Sequence, residues 1–349
     1  VERIEIMRAP VAEHSARAIA GTINIVLREG YVKHDTEIRS SIGWDRDKPQ
    51  PSLSVQKSGG KEAFNYNVGF NFNHNEFQNE ATTQTDEFAL TDHQGLLAQQ
   101  ETTHSRSQSN SLHLTSRLSW KFEDGDTVNV QPFAMASRSH SDGASHLDQA
   151  YGETPARYAD AYWFSESDFA LLRLMGNWKT RLADGARLEL RINGGLADSN
   201  STRSRSELAQ SGALAHALWT STGIDDSSLS SSLKYTRTLG QSHSAAFGLE
   251  LEGNHRNESA TTIQDGSLQL AEYGDEVEAG TQRLAAWGQD EWEISPLWSL
   301  YAGLRWETIR TRSAWLTDSS NSSSSVASPL LHSVWRLTEK GRDQVRLGI

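Results

Sequence analysis

The chain begins with VERIEIMRAPVAEHSARAIAGTINIVLRE, residues 1–29, and this stretch decides how the rest is interpreted. Its first part has a strand-like spacing of apolar residues and is broken at Ala9-Pro10, because proline offers no N–H to a strand ladder. Gly21 permits a sharp turn or a close approach to another backbone. Residues 22–27 are β-branched and apolar, which predicts a second strand. Beyond residue 30 the pattern predicts a long series of strands and no helix.

This stretch resembles the end of the plug domain of TonB-dependent outer-membrane receptors. In that family a Glu-Arg-Ile-Glu strand, an Arg-Gly-Pro turn and a Gly-Thr-Ile-Asn-Ile strand lead into the barrel. A later segment, WGQDEW at 287–292 followed by AGLRWE at 302–307, resembles a hairpin that recurs in the same barrels. The positions that match the plug pattern are Glu2, Arg3, Ile4, Glu5, Arg8, Pro10, Ala18, Ile19, Gly21, Ile23, Asn24 and Ile25.

The resemblance implies a fold and a division of the chain. Residues 1–30 would be the C-terminal end of a plug domain, and residues 31–349 the N-terminal part of a transmembrane, antiparallel up-and-down β-barrel. We count about 13 strand starts, whereas plugged transporters have about 22 strands, so the barrel is expected to be incomplete. The chain is therefore interpreted as an internal fragment, with the signal peptide, the TonB-contacting segment and the later strands outside it.

Composition agrees with a polar β-protein. Of the 349 residues 36% are hydrophobic, fewer than a soluble chain of this length normally carries, whereas only every second strand residue of a membrane barrel faces lipid. No window approaches about 18 consecutive apolar residues, so no transmembrane helix is predicted. The absence of cysteine excludes disulfides and thiolate metal sites. The net charge of −12 argues against nucleic acid as a partner.

Alternation with a period of two runs through the predicted strands. In residues 64–75, Tyr66, Val68, Phe70 and Phe72 alternate with asparagines, which suits lipid on one face and water on the other. One face of a soluble sandwich would give the same pattern, so this strand leaves both open. Turns are predicted at 47–51, 58–60, 123–126 and 183–185. Long polar connections are predicted at 137–165 and 317–328, and residues 76–106 are either a loop or a strand extension.

Short turns alternating with long connections favour up-and-down topology, with the short turns periplasmic. The aromatic residues are consistent with this orientation, since amphipathic rings prefer both interfaces of a membrane. Tryptophans also pack near turns in other β-proteins, and 11 of them is a high number for so polar a chain. Trp120, Phe122, Trp178, Trp292, Trp298 and Trp335 fall near the short turns, and Trp44 and Trp306 near the opposite end.

No catalytic or metal-binding arrangement is found, and the chain is not expected to be an enzyme or to carry a cofactor. The nucleophile-elbow, zincin and phosphate-loop motifs are absent from the sequence. The 12 histidines are scattered at irregular spacing, mostly in predicted loops. Glu250 and Glu252 share a strand face, where they could line the lumen or pair with plug arginines; an acid–base role is the least favoured alternative.

Two groups of site residues are predicted. The resemblance implies that charged residues at the end of the plug form ion pairs with carboxylates on the barrel wall, and Arg3, Glu5 and Arg8 are the candidates, although each could be ordinary surface charge. Aromatic side chains suit siderophores, cobalamin and glycans alike. Tyr151 and Tyr158, in one predicted outer loop, are the candidate substrate contacts, whereas 162–164 could equally begin a strand at an aromatic belt.

The sequence thus predicts a TonB-dependent receptor in the outer membrane of a Gram-negative bacterium. Its partners would be the TonB complex, outer-membrane lipid and a small extracellular ligand, a ferric siderophore by family frequency, and it would be a monomer. The alternatives are a non-energised porin or adhesin barrel, uptake of a glycan or cobalamin, and a soluble β-sandwich or solenoid binding module.

Overall fold

The architecture is all-β, as predicted, in a computed structural model of the chain. The structure describes residues 3–7, 12–13, 22–26, 34–91, 93–269, 276–315, 318–338 and 343–348. Two short strands, β1 (Arg3–Met7) and β2 (Thr22–Val26), form an antiparallel pair with Glu5 opposite Asn24. No helix in the described ranges has the length and apolarity required to cross a membrane.

A second, much larger sheet holds fourteen strands of the described chain. Consecutive strands pair antiparallel from β3 to β16, and β12 lengthens only the hairpin of β11. The sheet is not closed, since β3 and β16 lie at its two ends, and this confirms an incomplete up-and-down arrangement. Its strands are β3 (Asp35–Asp45), β4 (Lys48–Lys61), β5 (Phe64–Phe88), β6 (Gly95–Lys121), β7 (Thr127–Gly152), β8 (Asp160–Arg181), β9 (Arg187–Leu208), β10 (Leu214–Leu239), β11 (His243–Gln264), β12 (Ser267–Gln269), β13 (Glu276–Ser295), β14 (Trp298–Trp315), β15 (Asp318–Arg336) and β16 (Gln344–Gly348).

The predicted long connections are wrong. Residues 137–165 and 317–328 lie mostly in β7, β8 and β15, and residues 76–106 are the strand extension, not the loop. We call the end of the sheet with the connections at 46–47, 89–94, 153–159 and 209–213 the far end. The described connections there are two to seven residues long. These stretches are polar on both faces, so they lack the alternation that marks a strand, but each backbone group still pairs with its neighbour strand.

Two predicted turns are also misplaced. The first bend is at 46–47, where Arg46 adopts a φ of 55°, and it is shorter than the predicted 47–51. Residues 58–60 lie within β4, and the chain turns at 62–63 instead. The Gly59-Gly60 pair is typical of a hairpin turn, but here Gly60, at a φ of 155°, sits against Phe64 and Asn65 so closely that a Cβ would clash. The turns at 122–126 and 182–186 agree with prediction.

The large sheet has two chemically different faces. We call the face that contacts Ala12 and Glu13 the inner face, and the opposite one the outer face. The near end of the sheet is the end that carries the turns at 62–63, 122–126, 182–186, 240–242 and 296–297. On the outer face of the longer strands, apolar side chains recur at about every second position over roughly ten residues next to the near end. We call this zone the apolar band; its exposed members include Leu172, Leu174, Leu196, Leu229, Phe247, Leu249, Leu251, Leu304 and Leu331.

Beyond the band the strands continue toward the far end as what we call the extensions. In β9 the outer-face residues change from Leu190, Ile192 and Leu196 to Asp198 and Asn200 at one point. Trp306 lies at this boundary. Rings near the near-end turns include the tilted pair Trp298–Trp335, 5.6 Å between centroids, and the stacked pair His243–Trp292, 5.1 Å apart.

Candidate functional site

The inner face carries a cluster of charged side chains at the level of the apolar band. Its centre is Arg305 of β14, whose side chain is only 2% exposed. The Arg305 guanidinium binds Glu250 of β11 in a bidentate manner, with N–O distances of 3.0 and 2.9 Å, and its Nε donates to Glu307 at 3.0 Å. Because strand side chains alternate, Arg305 and Glu307 point inward, while Leu304 and Trp306 belong to the outer band.

Arg283 of β13 completes the cluster. Its guanidinium donates twice to Glu252, at 2.9 and 2.7 Å, and once to Glu250 at 3.2 Å. Two cations and three carboxylates therefore share one network, which keeps the charge of the nearly buried Arg305 compensated. Such charge-assisted, bidentate pairs hold fixed geometry more firmly than single surface ion pairs do.

The N-terminal residues Ala12 and Glu13 are anchored on this cluster. Ala12 is fully buried; its N–H donates to the Tyr301 hydroxyl at 2.7 Å, and its carbonyl accepts from Arg305 at 3.2 Å. Lys234 of β10 donates to the Glu13 carboxylate. The segment is thus held by main-chain hydrogen bonds and by one ion pair, with the cations supplied by the sheet.

Ala12 and Glu13 also pack closely against the sheet. Ala12 lies in a small apolar cluster with Ala246 and Trp287, and the Lys234 ammonium stands 5.9 Å from the Trp287 ring centroid. A Cβ on Gly303 would meet the Ala12 Cβ at 3.0 Å, so any other residue here would push the segment away from the sheet by a few tenths of an ångström. A cavity of about 440 Å³ beside Glu13 is lined by Lys234, Glu250 and Arg283 among other polar groups.

The predicted contacts Arg3, Glu5 and Arg8 are not tested by this arrangement. Arg3 and Glu5 lie in β1, whose side chains are outside the described part, and Arg8 lies outside the described residues altogether. The contact that the structure does describe involves Glu13, Lys234 and Arg305. Sequence reasoning missed Arg305, although it singled out the AGLRWE segment that contains it. Glu250 and Glu252 do line the inner face, but their partners are arginines of the sheet.

The predicted substrate contacts Tyr151 and Tyr158 occupy different environments. Tyr158 lies in the 153–159 connection, which we call the strap, and is 8% exposed. Its hydroxyl donates to Glu101 at 2.6 Å, and the Arg205 guanidinium is 5.3 Å from its ring centroid. Tyr151, at the end of β7, is 47% exposed. A role in ligand binding stays a prediction for both.

The strap is fastened to the inner face of the extensions by further ion pairs. Glu207 is buried and accepts from Arg205 at 2.8 Å and from Arg157 at 3.0 Å. The hydrogen bond from Tyr158 holds the pKa of Glu101 below its ordinary value of 4.5. Burial, with the same hydrogen bond, raises the pKa of Tyr158 above its ordinary 10.0. Both shifts favour the arrangement of a phenol donating to a carboxylate at neutral pH.

Within the described ranges, no group of three or more His, Cys, Asp or Glu side chains is placed to hold a metal ion. No protein-family model and no curated protein matches the chain. Among solved structures, the copper transporter OprC is similar at 9% sequence identity, with a TM-score of 0.16, over 99% of this chain and 78% of that one. A likeness this low carries no argument about the function of this chain.

Proposed function

We propose that the large sheet is part of the wall of an outer-membrane β-barrel and that the apolar band faces lipid. The observation that supports this is the exposure of the band: Leu196, Leu249 and Leu251 are 60%, 53% and 58% exposed on one continuous face. Exposed apolar patches beyond a few hundred Å² are rare on soluble proteins. A band about ten residues tall matches the 9–11 residues of a membrane-spanning strand, and rings at its edges suit membrane interfaces.

We further propose that the complete protein is a TonB-dependent receptor that imports a scarce ligand, with residues 1–30 as the end of its plug. Support comes from the resemblance of residues 2–25 and from the way Ala12 and Glu13 sit on the inner face. The one ion pair, between Glu13 and Lys234, is partly exposed, and such pairs hold a segment in place while leaving it displaceable. The TonB complex would supply the displacement, and the receptor would act as a monomer without a cofactor or catalysis.

A ferric siderophore is the first ligand to test, because it is the commonest cargo of the resembled family. Glycans and cobalamin are the alternatives within the same mechanism. A non-energised porin or adhesin barrel is a second candidate, favoured by the polar inner face alone, but it would leave the anchored N-terminal segment without a role.

The experiment is fractionation of the native host grown with and without iron. Outer-membrane residence together with induction on starvation supports siderophore uptake. Residence without an iron response moves the ligand to glycans, cobalamin or another metal. Absence from the outer membrane overturns the barrel proposal. A TonB-contacting segment in the complete protein would separate the receptor from a porin or adhesin.

A further inference from the structure

A pair of like charges faces across the turn between β8 and β9. Arg181 and Arg187 are direct cross-strand partners, and both are exposed. Directly opposed residues of antiparallel strands have Cβ atoms about 5 Å apart, so two guanidinium groups here repel each other. The turn leaves them no other register, because Leu182 N–H donates to Ala186 C=O at 2.8 Å and Gly185 N–H donates to Leu182 C=O at 2.9 Å.

The two carboxylates of the same hairpin closest in sequence to this pair have other partners. Asp184 pairs with Arg237 at 3.1 Å and also accepts from the Ala186 N–H at 3.2 Å. Glu189 accepts from Arg191 at 2.7 Å and from Asn177 at 2.9 Å. Among the described residues, no carboxylate forms an ion pair with Arg181 or Arg187.

The two arginines line a cavity of about 680 Å³ on the inner face at the near end. Lys179 and Lys234 add two further cations to its lining, against Asp124 and Glu189 as the acids. Glu189 and Lys234 also line the 440 Å³ cavity beside Glu13. The two cavities therefore adjoin, and the 680 Å³ cavity, with four cations against two acids in its lining, is the more basic of the two. We call this larger cavity the cationic groove.

Lys234 of this groove already binds a carboxylate. Lys234, which lines both cavities, binds the carboxylate of Glu13, a peptide side chain that comes from outside the sheet. Arg181 and Arg187 offer the same surface a second, stronger anion contact, because guanidinium groups bind carboxylates through two parallel hydrogen bonds. Locally unfavourable arrangements are expected at functional sites. The repulsion between Arg181 and Arg187 therefore indicates a binding partner that compensates it.

We propose that the cationic groove binds an acidic peptide segment, whose carboxylates pair with Arg181 and Arg187 as Glu13 pairs with Lys234. The partner is identified by its chemistry, an extended peptide with carboxylates on one face. The inference rests on the charges and cavities of the inner face and does not require the import function.

The test uses the whole chain in detergent micelles and a fluorescein-labelled octapeptide of alternating Glu and Ala, compared with its Gln and Ala counterpart. Fluorescence anisotropy should detect binding of the Glu peptide alone. The variants Arg181→Gln and Arg187→Gln should each weaken that binding about tenfold, the effect of losing one charge-assisted contact. Arg336→Gln, at another near-end hairpin and outside the groove, should leave it unchanged.

Thermal unfolding gives a second readout that a purely structural role would not produce. Without peptide, Arg181→Gln should raise the Tm, because it removes the repulsion across the turn. With saturating Glu peptide the original chain should have the higher Tm, since only the original chain gains both arginine contacts with the peptide. Equal binding of the two peptides, or undiminished binding by both variants, would overturn the proposal. Stabilisation by inorganic phosphate equal to that by the Glu peptide would replace it with a small-oxyanion site.

Discussion

The apolar band and the extensions belong to the same strands and the same hydrogen-bond ladder, yet their outer faces are opposite in character. In β11 the outer face passes from Phe247, Leu249 and Leu251 to His255 and Asn257 without any break in pairing. In the proposed barrel the band meets lipid and the extensions meet water, which accounts for the difference. Side-chain alternation therefore reports what lies against a strand, and it does not report whether a strand is present.

The two regions also differ on the inner face, where an arginine lies at the centre of an ion-pair network in each. We expect Arg305→Met, at the level of the band, to lower the free energy of unfolding by about 3 kcal/mol, since Glu250 and Glu307 lose their closest cation and keep only Arg283, at 3.2 and 3.9 Å. Arg205→Met, in the extensions, should cost only about 1 kcal/mol, because Glu207 keeps Arg157 as a partner. Urea unfolding of both variants in lipid vesicles measures the difference. Equal costs would mean that Arg305 is not the main anchor at the level of the band.

A charge placed in the apolar band tests the same difference on the outer face, and a second position on the same strand serves as the control. Leu249→Arg places a charge at the centre of the band and should cost about 2–4 kcal/mol of folding stability in a bilayer. Ser259→Arg lies on the same face of β11, ten residues on in the extension, and should change stability by no more than about 0.5 kcal/mol. Refolding yield into vesicles and urea midpoints check both. If the two variants behaved alike, lipid would not lie against the band.

These two regions also explain which parts of the fold were predictable. Strands in the band were found from sequence because an apolar residue at every second position meets one environment, and the antiparallel order followed from their short turns. The extensions were missed since their two faces are both polar, as in residues 318–328, where serines pair along β14 through backbone groups that any sequence supplies. Hydrogen bonding of the backbone leaves no side-chain signature.

The candidate site was predictable only in kind. The expected pairing of Arg3, Glu5 and Arg8 with carboxylates of the sheet is not tested. The contact that is described has the opposite sense, since the sheet supplies the cations Lys234 and Arg305 and the segment supplies the Glu13 carboxylate and the Ala12 main chain. Lys234 and Arg305 lie more than two hundred positions from the segment, so only the strand register brings them against it. Tyr158 was expected in a free loop, yet a short strap and the buried Glu207 bring it against the sheet, which no local pattern indicates.

The smallest expected effect is a change with pH in the opening of the strap, and it tests whether the strap is folded together with the extensions. The pKa of Glu101 is lowered, so the Glu101 carboxylate contributes stability above its ordinary value of 4.5, and this contribution is lost as the pH falls through the lower folded value. We expect hydrogen exchange of the Ala159 amide, which donates to the Leu208 carbonyl at 2.7 Å, to stay slow from neutral pH down to 4.5, after correction for intrinsic rates. Opening should accelerate at lower pH.

Tyr158→Phe provides the matched control for that titration. Without the phenol, the Glu101 carboxylate loses its main hydrogen-bond donor, so the pKa of Glu101 moves back toward its ordinary value and the opening of the strap loses most of its dependence on pH. The variant should also lose about 1 kcal/mol of local opening free energy at pH 7. An Ala159 exchange profile that is the same in both chains would show that the strap is held by the Arg157–Glu207–Arg205 contacts alone. Those contacts would then fix the extensions at the far end as the Arg305 network fixes the N-terminal segment at the level of the band.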